Sequence, residues 1–254
     1  MKTIFLHGFS GDRTGLQPLA DSLGLSKSYL IDLPSFGRNA RRYEPTWASY
    51  AEAVMETIQD ETGDGPYRLI GHSHGAMVAF VLAAAYPERI RELVLICPVA
   101  YSTKLGRAFI TANTALGRVV GYDALARVQR LTPIVDVVTR ASKQADWPAE
   151  RYDSLKQARR TESRYYNGEM LKLLEMVKRF TDELQHATVP LAGCIVQASR
   201  DLLVSQRDIA WFTSRIHRTE LVHCRGGHVA PAIFPDELAR LIHQNLHILY
   251  PSDL

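Results

Sequence analysis

The chain has 254 residues, 46% of them hydrophobic and 22% charged, a size and composition that suit one α/β domain with an insertion and exclude a disordered or low-complexity polypeptide. Its net charge of +3 is too small to point to nucleic acid, and no arginine and aromatic cluster resembles a nucleic-acid-binding module. Three widely separated cysteines, Cys97, Cys194 and Cys224, lack metal-ligand spacing and are expected as reduced core residues. The first eight residues hold too few apolar positions for a signal peptide. No stretch approaches the ~18 apolar residues of a membrane span, so a cytoplasmic, soluble protein is expected.

Short apolar runs at residues 3–6, 29–33, 67–70, 93–97, 191–197 and 220–224 each read as a buried strand. Between most of them lie segments of helical periodicity, at 16–23, 47–58, 77–85, 209–216 and 233–249. Strands that alternate with helices predict an α/β fold in which a mostly parallel sheet is flanked by helices on both faces. The alternation fails after the fourth strand. From about 99 to 188 no strand pattern recurs, whereas Tyr166, Met170, Leu173, Leu174 and Val177 repeat at helical spacing and residues 152–160 form a more polar helix. The predicted organisation is a core of residues 1–98 and 189–254 with a helical insertion over 99–188. Ligands bind at the C-terminal ends of strands in open α/β sheets, so an insertion there is expected to act as a lid.

The third strand runs into Gly71-His72-Ser73-His74-Gly75, followed by an almost wholly apolar stretch to Ala85. Strand, sharp turn and buried helix place Ser73 at the end of the strand above a helix N-terminus. The flanking glycines relieve the crowding of such a turn and let the helix pack close to the sheet. That is a nucleophile's position. A serine hydroxyl needs a general base, and the base needs a group that orients it and stabilises its positive charge. Asp201 follows the fifth strand and His228 the sixth, so Ser73, Asp201 and His228 occur in the order expected when all three sit on loops at one edge of the sheet. Taken singly, Asp201 reads as a turn or capping aspartate and His228 as a loop histidine; their joint occurrence favours a catalytic set.

Among the six histidines outside the elbow and the Gly226-Gly227-His228 loop, His223 is the nearest rival to His228, but it falls in a strand pattern. His72 is expected to brace the turn, and the His74 side chain to contact the pocket. His72 and His74 form a His-x-His pair without a third ligand, so no metal site is assigned. For the developing oxyanion, backbone N–H groups of His74, just after the nucleophile, and of Phe9, in the loop His7-Gly8-Phe9-Ser10-Gly11, are the candidates. No cofactor is required.

Together, His7-Gly8-Phe9, Asp32-Leu33-Pro34 with Phe36-Gly37, the elbow, Tyr86-Pro87-Glu88-Arg89, Asp201 and Gly227-His228 resemble the α/β-hydrolase superfamily across the core, while the insertion carries no matching motif. The resemblance implies a serine hydrolase with Ser73 as nucleophile, His228 as base and Asp201 as its orienter. It also places the first strand as the third of the family's usual eight, so the leading hairpin is expected to be absent. The elbow, core and helical lid are similar to the pimeloyl carrier-protein methyl ester esterases. His7 to Asp12 is similar to the menaquinone-pathway synthase branch, whose arginine two positions after the last elbow glycine is replaced by Met77. Hydrolysis of a carboxylic ester or thioester of a small to medium acyl group is therefore the expected activity. Carbon–carbon bond hydrolysis, a lyase step and a catalytically silent binding protein are the alternatives.

Residues 101–187 hold 15 Lys and Arg against 10 Asp and Glu, so the predicted lid is the basic part of the chain. Arg107, Arg118, Arg127, Arg130, Arg140, Arg151, Arg159, Arg160 and Arg164 suit either a solvated helix surface or an anionic substrate, such as an acyl group joined to coenzyme A or to an acyl carrier protein.

Overall fold

In the computed structural model, Lys2–Leu6 (β1), Ser28–Ile31 (β2), Tyr67–His72 (β3), Ile90–Ile96 (β4), Val189–Ala198 (β5) and Ile216–Cys224 (β6) form one sheet in the order β2-β1-β3-β4-β5-β6. Every neighbouring pair is parallel. The structure describes residues 1–9, 11–101, 103–131, 143, 146–162 and 167–250. From β1 the chain steps outward to β2 and then back across β1 to β3, so the strand order reverses between β1 and β3. A crevice opens at such a reversal beyond the C-terminal strand ends, and the loops after β1 and β3 are the ones that carry His7-Gly8-Phe9 and Ser73.

The connecting helices are Gln17–Leu23 (α1), Trp47–Thr62 (α2) and His74–Ala85 (α3). Right-handed crossovers put α1 on one face of the sheet and α2 and α3 on the other. Positions 76–83 of α3 are all buried, as a helix apolar on every side must be. Between β4 and β5 the described residues form only helices and loops: Lys104–Val120 (α4), Tyr122–Leu131 (α5), Ala149–Glu162 (α6), Gly168–Lys178 (α7) and Phe180–Glu183 (α8). Gln206–Thr213 (α9), Ala230–Ile233 (α10) and Pro235–Leu249 (α11) complete the chain, with α11 packed beside α1.

Several boundaries differ from the sequence pattern for local reasons. The helix expected at 209–216 is α9, which starts earlier because Ser205 and Asp208 form a capping box; Ile216 instead opens β6 opposite Val189. The terminal helix breaks at Phe234, and Pro235 begins a new one, a position where its missing N–H costs nothing. Residues 220–224, read as a buried strand, lie in β6 at the sheet edge, where Leu221 and His223 are exposed. Arg68, inside an otherwise apolar run, stands opposite Glu92 in the β3/β4 register, and the two form a buried ion pair. The helices α4 and α5 lacked a clear sequence signal. Tyr166, Arg140 and Arg164 lie outside the described residues, as do the side chains of Arg130, Arg159 and Arg160.

One contact fixes how closely α3 approaches the sheet. A Cβ at Gly75 would run into the Leu6 carbonyl of β1, whereas a Cβ at Gly24, the left-handed cap of α1, would meet nothing within 4 Å. Alanine at position 24 thus costs about 1 kcal/mol of left-handed strain, and alanine at position 75 costs about 3 kcal/mol or more of overpacking. Urea unfolding of the two variants should show this order, with Gly75→Ala well below Gly24→Ala.

Candidate active site

The site is built outward from the end of β3. Ser73 adopts φ 55° and ψ −114°, a conformation that costs a non-glycine residue of order 1–3 kcal/mol. The surrounding backbone holds it there. The Ser73 N–H donates to the Ile96 carbonyl at 2.9 Å, and the Ser73 carbonyl accepts from Ala76 and Met77 N–H at 3.0 and 3.2 Å. A side chain at Gly71 would collide with the Gly75 carbonyl and with Ala76, so the turn tolerates only glycine on that side.

The three residues expected to act together do meet. His228 Nε2 lies 2.7 Å from Ser73 Oγ, and His228 Nδ1 lies 2.8 Å from Asp201 Oδ2. An ionised carboxylate only accepts, so Nδ1 carries the proton and Nε2 accepts from the serine hydroxyl. The other Asp201 oxygen accepts from the N–H groups of Leu203 at 2.8 Å and Val204 at 3.1 Å. Burial pushes the Asp201 carboxyl up, but the His228 ring, the Leu203 amide and the Cys97 thiol outweigh it and hold it below its ordinary value. The Asp201 carboxylate is therefore ionised, with its side chain 1% exposed and both oxygens accepting hydrogen bonds.

Two residues extend this set in ways their sequence positions did not reveal. His72 donates from Nε2 to the His228 carbonyl at 2.7 Å, and the two rings lie 5.1 Å apart. His72 thus braces the loop that carries His228. Cys97 leaves β4 at φ 48°, fully buried, with its sulfur, an Asp201 oxygen and a His228 nitrogen all within 4.8 Å of one another. Burial raises its thiol well above the ordinary value, so it stays neutral. Cys97, Cys194 and Cys224 are all free and buried. The His-x-His pair is split, because the His74 ring enters an aromatic cage of Phe9, Phe36, Trp47 and Tyr50.

The loop after β1 is held by His7, whose Nδ1 donates to the Gly8 carbonyl at 2.9 Å while Nε2 accepts from the Leu33 N–H at 3.1 Å. Both ring nitrogens are used only in the neutral form. Phe9 packs edge-on against Phe36 and His74 at 5.6 and 6.2 Å. Asp32 is buried and accepts from the Arg13 backbone N–H and side chain at 2.8 and 3.1 Å, which anchors the neighbouring loop after β2. A cavity of about 60 Å³ beside this loop is lined by Gly8, Phe9, His72, Val229 and, from α6, Leu155. His223 is exposed on β6; it is His228 that meets Ser73.

A profile of the α/β hydrolase fold matches residues 4–170, and the chain belongs to this family of enzymes. It is 29% identical over 231 residues to the lipase LipV of Mycobacterium tuberculosis, a match covering 85% of this chain and 81% of that one. A second relative, the dihydrolipoyllysine-residue acetyltransferase component of the acetoin cleaving system of Cupriavidus necator, is 28% identical over 139 residues, 53% of this chain and only 34% of that protein. The enol-lactonase from Burkholderia xenovorans superposes with a TM-score of 0.75 at 16% identity, covering 96% of this chain and 90% of that one; the fold is what this likeness carries. Among the described residues no helix is long and apolar enough to cross a membrane.

The buried histidines set a pH dependence. Burial lowers His74 to about 3, with His7 adding to the effect, and burial likewise lowers His7. The folded protein keeps both neutral while the unfolded chain protonates them near 6.5, so below that pH the unfolded state binds more protons and stability falls. His74 contributes a slope of about 1.4 kcal/mol per pH unit in that window, and His7 acts in the same direction. Urea midpoints measured from about pH 7.5 to about pH 5 should drop, and His74→Phe should flatten the slope by about one proton.

Proposed function

We propose that the chain hydrolyses carboxylic esters or thioesters of small to medium acyl groups through an acyl-enzyme on Ser73. The reading rests on one observation: an unbroken chain of hydrogen bonds from Ser73 Oγ through both His228 nitrogens to the Asp201 carboxylate, whose side chain is 1% exposed. Ser73 Oγ attacks the acyl carbon as its proton passes to His228 Nε2. Asp201 stabilises the imidazolium, and the backbone N–H groups of Phe9 and His74 hold the oxyanion. The C–O or C–S bond to the leaving group breaks as His228 returns the proton to it. Water then attacks the acyl-enzyme, giving its proton to His228, and Ser73 leaves with that proton as the free acid is released.

Residues 99–188 act as a lid in this reading. Leu155 of α6 lies against the loops that carry Phe9, His72 and Val229, and the 60 Å³ cavity left there is far below the ~300 Å³ at which ligand sites begin. The basic excess of the insertion suits a substrate with an anionic leaving group, such as coenzyme A or a carrier protein, in which case added salt slows its hydrolysis more than that of a neutral ester.

Folded protein should form a Ser73 adduct with a fluorophosphonate probe and hydrolyse p-nitrophenyl esters, with the rate falling as the acyl chain lengthens past the pocket. Ser73→Ala should remove the adduct and lower kcat/KM by about 10³-fold or more, and Asp201→Asn should reduce it by a comparable factor. Unchanged hydrolysis in Ser73→Ala would end the covalent mechanism.

A further inference from the structure

Helix α4 is apolar on two faces, and among the described residues only one of them is covered. Phe109 and Ile110 pack against the core, Asn113 and Thr114 are buried, and Gly117 sits against the Tyr122 ring. On the other side Ala108, Ala112, Ala115, Leu116, Val119 and Val120 are exposed, with Leu116 at 48%, Val119 at 83% and Val120 at 49%. Positions 112, 116, 119 and 120 fall at i, i+4, i+7 and i+8, so they form one stripe. The other exposed large apolar residues outside α4 and α5, namely Met1, Leu202, Leu221 and Ile248, stand singly on separate elements, as ordinary surface residues do.

The charged residues of α4 itself have one sign. Residues 104–120 contain Lys104, Arg107 and Arg118 and no Asp or Glu. Lys104 and Arg107 are exposed, and Arg118 keeps 66% of its side chain in solvent while it pairs with Glu175 at 2.8 Å. An exposed apolar stripe flanked by cations is the signature of a helix that lies in a lipid–water interface. The helix is also fixed in place. Thr103 at its N-terminus donates from its N–H to the Leu203 carbonyl at 3.2 Å and from its hydroxyl to the Leu202 carbonyl at 2.8 Å, in the loop that follows Asp201. Just before it, Ala100 and Tyr101 donate backbone N–H bonds at 2.7 and 2.6 Å to the buried Asp208 carboxylate. The stripe is thus held at the edge of the sheet where Ser73 lies.

We infer that α4 docks the enzyme peripherally on an anionic lipid surface, with Leu116, Val119 and Val120 entering the headgroup region and Lys104, Arg107 and Arg118 facing lipid phosphates. Charge decides between this occupant and a second copy of the chain. Two α4 faces brought together would oppose cation to cation, whereas an anionic bilayer supplies the complementary sign. Docking does not depend on the proposed chemistry at Ser73.

The test is co-sedimentation of the full chain with vesicles of phosphatidylcholine alone or mixed with phosphatidylglycerol. Binding to the mixed vesicles should exceed binding to the neutral ones by about 5-fold or more and weaken as salt is added. The double variant Leu116→Gln/Val119→Gln should lose most of that binding while it hydrolyses a water-soluble short-chain ester at the wild-type rate. Ser73→Ala should lose hydrolysis and keep binding, which separates failure of the docking inference from failure of the catalytic one. Equal binding to both vesicle types, wild-type binding by the double variant, or a dimer in sedimentation velocity that the double variant dissociates would each overturn the inference.

Discussion

Everything at the site depends on how tightly α3 is drawn against the sheet where β3 ends. The Leu6 carbonyl of β1 and the Gly75 backbone of α3 leave no room for a side chain, and neither do Gly71 and the first turn of α3. The chain must therefore pass from strand to helix in a single residue, and Ser73 takes a backbone conformation that it would not choose alone. The strain is repaid by helix α3, whose burial holds the turn closed from below. The result is a hydroxyl that stands clear of both elements, at the reversal point of the strand order, where loops from β1, β5 and β6 also converge.

Around that hydroxyl the protein keeps its buried polar groups in chosen charge states. His7 and His74 are neutral because burial opposes their protonation, so neither competes with His228 as a base or places a positive charge beside it. Asp201 is ionised in spite of burial because its partners outweigh desolvation. Asp208, fully buried, accepts from Ser205, Ala100 and Tyr101, and so caps α9 while it ties down the exit of β4. His7, Asp201 and Asp208 draw on backbone donors or acceptors that the fold brings to a fixed place, whereas His74 Nδ1 is buried without a hydrogen-bond partner among the described residues.

The insertion after β4 behaves differently from the core. Its helices bury one face against the core and each other, yet among the described residues α4 leaves a second apolar face exposed, and the charged residues of α4 itself are all basic. The insertion also meets the core through α6, whose Leu155 lines the cavity beside Gly8, Phe9, His72 and Val229.

The sequence by itself determined the alternation of strands and helices, the parallel sheet, the elbow, and the identities of Ser73, Asp201 and His228, because each leaves a local mark: apolar runs, glycines at a turn, and polar residues just past strand ends. It also showed where the alternation fails. It did not reveal that His72 holds the carbonyl of His228, that Cys97 lies against Asp201, that Arg68 is answered by Glu92, or that α4 has an uncovered face. Those facts join residues far apart in the chain. They follow from strand order and register, which bring the ends of β3, β4, β5 and β6 together, and from which side of a helix meets the core. No local pattern encodes a partner supplied by another strand, so only the tertiary structure decided them.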